Sequence, residues 1–438
     1  MILIVLKFVL KIPKSITNNL ILKITSLNSL VVGFRLIISL VVQNLLALYT
    51  GQAGIAKVGQ LRNLSSILMS LTSFGTFNGV VKYVSDYKSD KKNLLKLFST
   101  LYVFSFTASV VSFFVLFFGA HYFSNKLFFS DAYVVVFKVI AVSVPFISIN
   151  RIFSGVINGT SDYKKHSKIE FISHFVAAIL LLISLYFYSL KGVLIAIALT
   201  PIIQLSVLLI IFGRLLKDYV DFKSITFKIP FFKQLLGFTA MSFVATVLSN
   251  YIEIDLRTFI LKKISEAEAG SWTAMNSISK IYMQFLIAIF SLYILPKYAT
   301  INTSFEFRAE IKKVYKSLVP LVFIGMVLVF SFKNILIEFI FTKDFLGMAI
   351  LFKWQLAGDF VRFIANVLSY YFLAKKQINY FLFTQLIGLL MYYIFSRVFL
   401  PNFGTEGVVM ALFVSNLIYL ASVIFVLRKT IIGDNRTL

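Results

Sequence analysis

The chain has 438 residues, of which 59% are hydrophobic and only 14% are charged, and its mean hydropathy is +0.89. Soluble domains have about 45–50% apolar and about 25% charged residues, so this composition predicts a membrane protein. The chain contains no Cys and only three His, which excludes disulfide frameworks, thiol catalysis and Cys/His metal sites.

The net charge of +25 does not indicate a nucleic-acid partner, because the basic residues are scattered between apolar runs and form no basic patch. At the N-terminus, residues 1–10 are followed by Lys11 and Lys14 without a small-residue cleavage site. We expect a helical lead-in at the membrane surface here, and no signal peptide.

Apolar runs long enough to cross about 30 Å of hydrocarbon recur along the rest of the chain. The first half has six such runs, at 24–48, 61–81, 97–120, 133–156, 169–188 and 193–212. The second half has six more, at 235–256, 271–295, 317–337, 349–373, 380–399 and 407–427. The runs are apolar throughout and lack the alternation of barrel strands, so the sequence predicts an all-α polytopic membrane protein with about 12 transmembrane helices.

A polar stretch at 214–233 divides the chain near its middle and contains Lys217, Asp218, Asp221, Lys223 and Pro230. We interpret it as a cytoplasmic linker between an N-terminal lobe of helices 1–6 (residues 1–213) and a C-terminal lobe of helices 7–12 (residues 234–438). An even number of helices in each lobe gives both lobes the same topology.

Lys and Arg are distributed unequally between the loops on the two sides of this arrangement. The two terminal tails and the loops after the even-numbered helices hold 27 Lys and Arg, whereas the loops on the other side hold 7. Positive residues concentrate in cytoplasmic loops, so both termini are expected in the cytoplasm.

Charged residues inside the predicted helices are the main functional signal. A charge at membrane depth costs roughly 2.5–3.5 kcal/mol, so it normally faces a cavity or a partner. Cations outnumber carboxylates at these sites, and Arg is well suited to phosphate oxygens, which predicts a cavity for an anionic lipid phosphate or an acidic sugar. The candidate substrate-binding residues are Arg35, Arg62, Arg151, Arg257, Lys280 and Arg362.

Three carboxylates, Glu253, Asp255 and Asp359, are candidates for proton or cation coupling. A structural alternative exists for Asp359, because its spacing of three residues from Arg362 would allow an ion pair on one helix face. Lys138, Lys353 and Arg397 lie near predicted helix ends, where long side chains extend to the interface. Neutral polar residues at depth, such as Gln43, Asn250 and Gln355, are expected either to bind sugar hydroxyls or to link helices.

Catalytic and cofactor motifs do not stand out. The sequence has no nucleotide-binding Gly-rich Lys loop, and no Ser/His/Asp or paired-carboxylate set lies in a loop large enough to hold an active site. We therefore expect no enzyme activity, no cofactor and no metal.

Four local strings resemble the Wzx-type flippases of lipid-linked oligosaccharides, in the multidrug/oligosaccharidyl-lipid/polysaccharide exporter superfamily. They are GQAGIA (51–56), FNGVVKYV (77–84), YILPKY (293–298) and WQLAGD (354–359). The resemblance looks closest to the branch that moves enterobacterial common antigen or O-antigen units. It implies a V-shaped exporter in the bacterial inner membrane whose cationic central cavity flips undecaprenyl-pyrophosphate-linked oligosaccharides outward.

The resemblance also implies the lipid-linked oligosaccharide and the bilayer as partners, with other polysaccharide-assembly membrane proteins as further candidates. Two alternatives remain open. An integral-membrane polysaccharide polymerase or sugar transferase has a similar length, but would need a larger outer loop than this sequence provides. A drug/cation antiporter of the same superfamily would favour an acidic cavity.

Overall fold

The computed structural model describes residues 20–220 and 224–432, and their regular secondary structure is helical. The expected N-terminal lead-in helix of residues 1–10 lies outside the described residues. The first lobe contains α1 (Leu20–Thr72), α2 (Phe77–Asp86), α3 (Lys91–Phe118), α4 (Ala120–Phe128), α5 (Val134–Gly159) and α6 (Tyr163–Tyr219). The second contains α7 (Phe232–Ser242), α8 (Ser249–Lys263), α9 (Glu266–Ile289), α10 (Leu295–Thr300), α11 (Ser304–Ser331), α12 (Lys333–Ile340), α13 (Phe352–Ala374) and α14 (Ile378–Ile432).

Short segments of other helix types complete the second lobe. A π-helix at Phe243–Leu248 joins α7 to α8, and another at Phe290–Ile294 joins α9 to α10. A 3-10 helix at Lys343–Leu351 leads into α13. Both π-segments lie in helices that face the other lobe. Such segments widen a helix locally and occur often at functional sites.

Three of the helices are long enough to cross a membrane twice. The helices α1, α6 and α14 have 53, 57 and 55 residues, and each contains one residue with non-helical dihedral angles: Gly51, Ser189 and Gly404. Arg62 contacts Gln43 across the break in α1, and Gln385 bonds Tyr419 across the break in α14. Each of these two helices is therefore a pair of antiparallel arms.

The described helices give about twelve membrane spans. Seven helical segments are long and apolar enough to cross a membrane, and three of these are the double-length helices. The two remaining spans, α9–α10 and α13, carry more polar residues because they line the interior. Large apolar side chains such as Phe118, Tyr186 and Ile210 are 76–83% exposed, as expected for side chains that face lipid. The prediction of an all-α membrane protein with about 12 helices in two six-helix lobes is confirmed.

Several predicted boundaries differ from the structure. Helix α6 continues through Arg214 to Tyr219 and α7 begins at Phe232, so helical residues extend into both ends of the predicted linker 214–233. Leu216, almost fully buried, holds this last turn on the lobe despite the charges around it. The predicted span 317–337 is interrupted at Phe332, where α11 ends and α12 begins. Hydropathy contains no information about backbone direction. A continuous apolar run in the sequence therefore does not show where a helix is interrupted.

The break in α6 leads to a stability prediction. Ser189 has φ 51° and ψ −146°, a conformation that is strained for any residue with a Cβ, whereas the equivalent breaks in α1 and α14 use glycine. Replacing Ser189 by Gly should stabilise the protein by about 1 kcal/mol and raise its melting temperature in detergent. Ser206→Gly, in the regular part of the same helix, is the control and should lower the melting temperature. A lower melting temperature for Ser189→Gly would contradict the assigned backbone conformation.

One set of contacts between the two lobes lies around the Gly51 turn of α1. The Gln52 side chain donates to Ser271 Oγ (3.2 Å) and to the Asp344 carbonyl (2.8 Å), and Lys57 pairs with Glu266 (3.2 Å). A Cβ at Gly270 would lie only 2.1 Å from the Gln52 carbonyl oxygen, so glycine permits the close approach of α9 to α1. These contacts close the cleft between the lobes at the Gly51 end.

Candidate functional site

A polar cavity of about 310 Å³ lies between the lobes, below the closed Gly51 end. Its walls come from both arms of α1 and from α8 and α9, and its polar lining includes Ser39, Gln43, Asn250, Asn276 and Ser277. Arg62 follows Gly51 by eleven residues, which is about 16 Å along a helix. The cavity therefore lies near the middle of a hydrocarbon layer about 30 Å thick.

Three of the six predicted substrate-binding residues line this cavity: Arg62, Arg257 and Lys280. Glu253, one of the three predicted coupling residues, lies beside them. Its Oε2 accepts hydrogen bonds from Lys280 Nζ and from Asn63 Nδ2, both at 2.8 Å. Three cations and one carboxylate give the group a net charge of +2 when all four are ionised, so the cavity is electropositive.

Arg62 is the cation that is most available to a ligand. Its side chain is exposed to the cleft, and its guanidinium makes one long contact, from Nη1 to Gln43 Oε1 at 3.4 Å. Most of its N–H donors therefore point to no protein acceptor among the described residues. A guanidinium presented in this way can bind phosphate oxygens with two parallel hydrogen bonds.

Arg257 is held quite differently, because it is only 1% exposed. Its Nε donates to Thr273 Oγ1 (2.7 Å), its Nη1 donates to Gln60 Oε1 (2.8 Å), and the guanidinium lies 5.3 Å from the Trp272 ring. These hydrogen-bond partners are neutral, and the carboxylate that interacts electrostatically with the guanidinium is Glu253, four residues earlier on α8. Arg257 contributes a fixed positive field to the cavity and fixes α8 to α1 and α9.

Arg35, Arg151 and Arg362 do not line the cavity. Arg35 of α1 pairs with Glu170 of α6 through Nη1 and Oε2 at 2.7 Å, and Arg151 lies over the Phe77 ring at 3.8 Å. Arg362 belongs to α13, within the second lobe. The six predicted cations are therefore distributed over three places in the molecule.

The ion pair between Asp359 and Arg362 that the sequence spacing allowed is not formed among the described residues. Asp359, only 4% exposed, instead accepts hydrogen bonds at Oδ2 from Ser279 Oγ (2.6 Å), Gln355 Nε2 (3.0 Å) and the Tyr282 hydroxyl. Two of these donors lie on α9. Tertiary packing therefore decides which groups Asp359 binds, whereas spacing along its own helix shows only which ion pair is possible. All three donors are neutral.

Asp255, the third predicted coupling residue, has a partner that the sequence did not indicate. Arg397 donates to Asp255 Oδ2, and its guanidinium stacks on the Phe259 ring at 4.2 Å. Arg397 therefore forms an ion pair between α8 and α14. Lys138 and Lys353 are exposed, and each lies over an aromatic ring, Phe117 and Trp354 respectively.

Sequence analysis missed several residues that organise these sites. Glu170 was missed because it lies next to the predicted start of its helix, and Gln60 because it was placed in a loop. His166 and His174 gave no signal alone, but their spacing of four residues on either side of Glu170 would have revealed a polar stripe on one helix face. No group of three or more His, Asp or Glu suited to a metal ion occurs within residues 20–220 and 224–432.

Comparison with known proteins gives a consistent assignment. The family model described as "Polysaccharide biosynthesis protein" matches residues 59–350. The Lipid III flippase of Escherichia coli (strain K12) is 26% identical over 385 residues, covering 87% of this chain and 91% of the relative, and a protein of the same name from Shigella flexneri matches equally.

Solved structures share the fold at low sequence identity. The lipid II flippase MurJ in an inward closed conformation superposes with a TM-score of 0.70 at 16% identity, covering 92% of this chain and 87% of that chain. An inward-facing multidrug resistance MATE transporter of the MOP superfamily gives 0.69 at 12% identity, covering 90% and 94%. The fold is therefore the two-lobe MurJ/MATE fold, and the chain belongs to the polysaccharide biosynthesis protein family.

Proposed function

We propose that this protein is a flippase that moves undecaprenyl-pyrophosphate-linked oligosaccharide repeat units from the cytoplasmic to the periplasmic face of the bacterial inner membrane. The observation that carries the proposal is the electropositive cavity near the membrane middle, with Arg62 exposed to it. The names of the curated relatives, both lipid III flippases, support a lipid-linked sugar as the substrate class.

The chemistry of the cavity suits such a substrate. A diphosphate carries about two negative charges, which the net charge of Arg62, Arg257, Lys280 and Glu253 would balance, while Asn250, Asn276 and Ser277 offer hydrogen-bonding groups to sugar hydroxyls. The contacts of Gln52 and Lys57 close the cleft at the Gly51 end, and the lobes also touch at the other end of this arm of α1, where Ser70 Oγ lies 2.8 Å from Ser242 Oγ. Alternating access then requires the contacts of Gln52 and Lys57 to break.

The membrane potential provides a direction for transport. Each negative charge that leaves a negative-inside cell releases roughly 2.3 kcal/mol per 100 mV, so two charges favour export by about twice that amount. We place both termini in the cytoplasm, in line with the 27-to-7 distribution of Lys and Arg. A reporter fused at Lys126 that signals from the cytoplasm would contradict this orientation.

Coupling to a proton is a further part of the proposal, and Asp359 is its strongest candidate. Glu253 and Asp255 each have a fixed cationic partner, Lys280 and Arg397, which favours the ionised carboxylate. Asp359 has only neutral hydrogen-bond donors among the described residues, and its interaction with Arg362 is electrostatic without a salt bridge, so its charge is held less firmly than that of the other two carboxylates. Asp359 also accepts a hydrogen bond from Ser279, and the next residue in the chain, Lys280, lines the cavity. This contact connects Asp359 to the cavity.

A polymerase and a drug/cation antiporter are the alternative functions. The antiporter is disfavoured by the positive cavity, and the polymerase is tested by deletion of the gene in the producing bacterium. Loss of a flippase should leave lipid-linked repeat units on the cytoplasmic face and no antigen on the surface, because translocation precedes assembly. Single repeat units on the surface of the deletion strain would instead support the polymerase.

A further inference from the structure

A second polar cluster lies in the first lobe, outside the central cavity. Three residues of α6, His166, Glu170 and His174, are spaced four apart and therefore share one face of the helix. That face meets α1, where Arg35 and Ser39 are also four residues apart. Arg35 Nη1 lies 2.7 Å from Glu170 Oε2, and His174 Nε2 lies 3.1 Å from Ser39 Oγ.

Positive and ionisable groups surround the single carboxylate of this cluster. Glu170 interacts electrostatically with His166 and His174 and with Arg151 of α5, in addition to its pair with Arg35. Arg62, at the edge of the central cavity, interacts with His174. The cluster thus has the form of an anion-binding site made by two arginines and two histidines. The anion in this site is the protein's own Glu170 carboxylate.

The Arg35–Glu170 pair is accessible, because the two side chains are 36% and 38% exposed. Exposed ion pairs contribute little to stability, so a ligand with more negative charge can displace Glu170 at small cost. Arg35 precedes Gln43, which faces Arg62, by eight residues, or about 12 Å along the helix. The cluster therefore lies on the side of the central cavity away from Gly51, which is the cytoplasmic side in the proposed orientation.

We propose that Arg35, His166 and His174 form a second diphosphate-binding subsite, which Glu170 occupies until the diphosphate of an incoming lipid carrier displaces it. The inference rests on the proposed flippase function and adds an entry step to it. The diphosphate binds first at this subsite and then moves about one helical turn at a time along α1 toward Arg62. Glu170 re-forms its pair with Arg35 behind the diphosphate.

The subsite should bind anions more tightly as the pH falls. His166 and His174 gain a positive charge when they are protonated as the pH falls. The charged groups that interact with these two histidines are Arg35, Arg62 and Glu170. The net charge of the cluster therefore becomes more positive on acidification.

The test measures binding of inorganic pyrophosphate to the purified full-length protein by calorimetry at pH 5.5 and pH 8. Glu170→Gln removes the competing carboxylate and keeps its shape, so it should increase the affinity about fivefold at pH 8. The matched control is Asp131→Asn, which removes an exposed carboxylate just before α5 that pairs with His121, and it should change the affinity little. Adding Arg35→Gln to Glu170→Gln should abolish the gain.

Equal affinities for Glu170→Gln and Asp131→Asn would overturn the inference, as would a gain that survives Arg35→Gln. If Glu170→Gln does not fold, the double variant His166→Gln, His174→Gln decides the matter. Compared with the unmodified protein at the same pH, it should lose more affinity at pH 5.5 than at pH 8, and an equal loss at both pH values would exclude the subsite. Flipping by the unmodified protein is measured separately, so its absence would refute the proposed function without depending on these variants.

Discussion

Arg62→Glu is expected to abolish transport almost completely while the protein still folds. Within the part of the chain that the structure describes, Arg62 makes one long contact, to Gln43, so its replacement removes little that holds the helices together. In contrast, a charge-assisted hydrogen bond to a diphosphate contributes about 1.5–3 kcal/mol, so Arg62→Ala should lower transport about tenfold to a hundredfold. Arg62→Glu should be worse, because it places a negative charge where the diphosphate passes.

Transport of these variants is measured as complementation of a deletion strain, normalised to the amount of folded protein in the membrane. Lys138→Ala is the control, because Lys138 is an exposed cation near a helix end that lies over Phe117, away from the cavity. Arg62→Lys should retain part of the activity, since it keeps the charge but loses the paired donors. Normal activity per molecule in both Arg62→Ala and Arg62→Glu would refute the role of the cationic cavity.

The second large effect is expected at Asp359, where two substitutions separate folding from transport. Asp359→Ala removes the acceptor of Ser279, Tyr282 and Gln355, which lie between α9 and α13. A buried donor without a partner costs about 1–3 kcal/mol, although hydrogen bonds between membrane helices average about 0.6 kcal/mol. We expect Asp359→Ala to destabilise the protein by about 3 kcal/mol and to lower the amount of folded protein strongly.

Asp359→Asn should fold nearly normally. Its carbonyl oxygen still accepts hydrogen bonds, and its amide can donate to Gln355 Oε1, a buried atom that has no hydrogen-bond partner within the described residues. If Asp359 carries the coupled proton, this neutral variant should transport about tenfold more slowly and lose its dependence on a pH gradient. The comparison variant Asp255→Asn should keep that dependence. Full, gradient-dependent transport by Asp359→Asn would exclude Asp359 as the coupling group.

The architecture was predictable because a membrane span is recognised from the mean hydropathy of a whole helix. Twenty apolar residues in a row predict a span whatever their partners are, and the charge distribution of the loops needs no tertiary information. The failures occurred where local backbone geometry matters. The linker was drawn too long because Lys217 and Asp218 suggested a loop, whereas a helix that leaves the membrane keeps its hydrogen bonds through charged residues.

The cationic character of the site was predictable from the sequence, but the partners of its individual residues were not. The cost of burying a charge identified Arg62, Arg257 and Lys280 without any structure. The same argument could not separate Arg62, which is open to the cleft, from Arg257, which is held by Thr273 and Gln60. Partners on other helices, such as Glu170 for Arg35, are set by packing, and spacing within one helix contains no information about them.

The measurement that tests the central claim most directly is transfer of a lipid-linked oligosaccharide by the purified protein in sealed vesicles. A fluorescent undecaprenyl-pyrophosphate saccharide is placed in one leaflet, its appearance in the other is followed with an impermeant quencher, and a membrane potential of either sign is imposed. We expect transfer well above that of protein-free vesicles, faster toward the positive side, and lost with Arg62→Glu. Transfer no faster than in protein-free vesicles would contradict the proposed function, and transfer that ignores both the potential and Arg62→Glu would contradict its electrostatic mechanism.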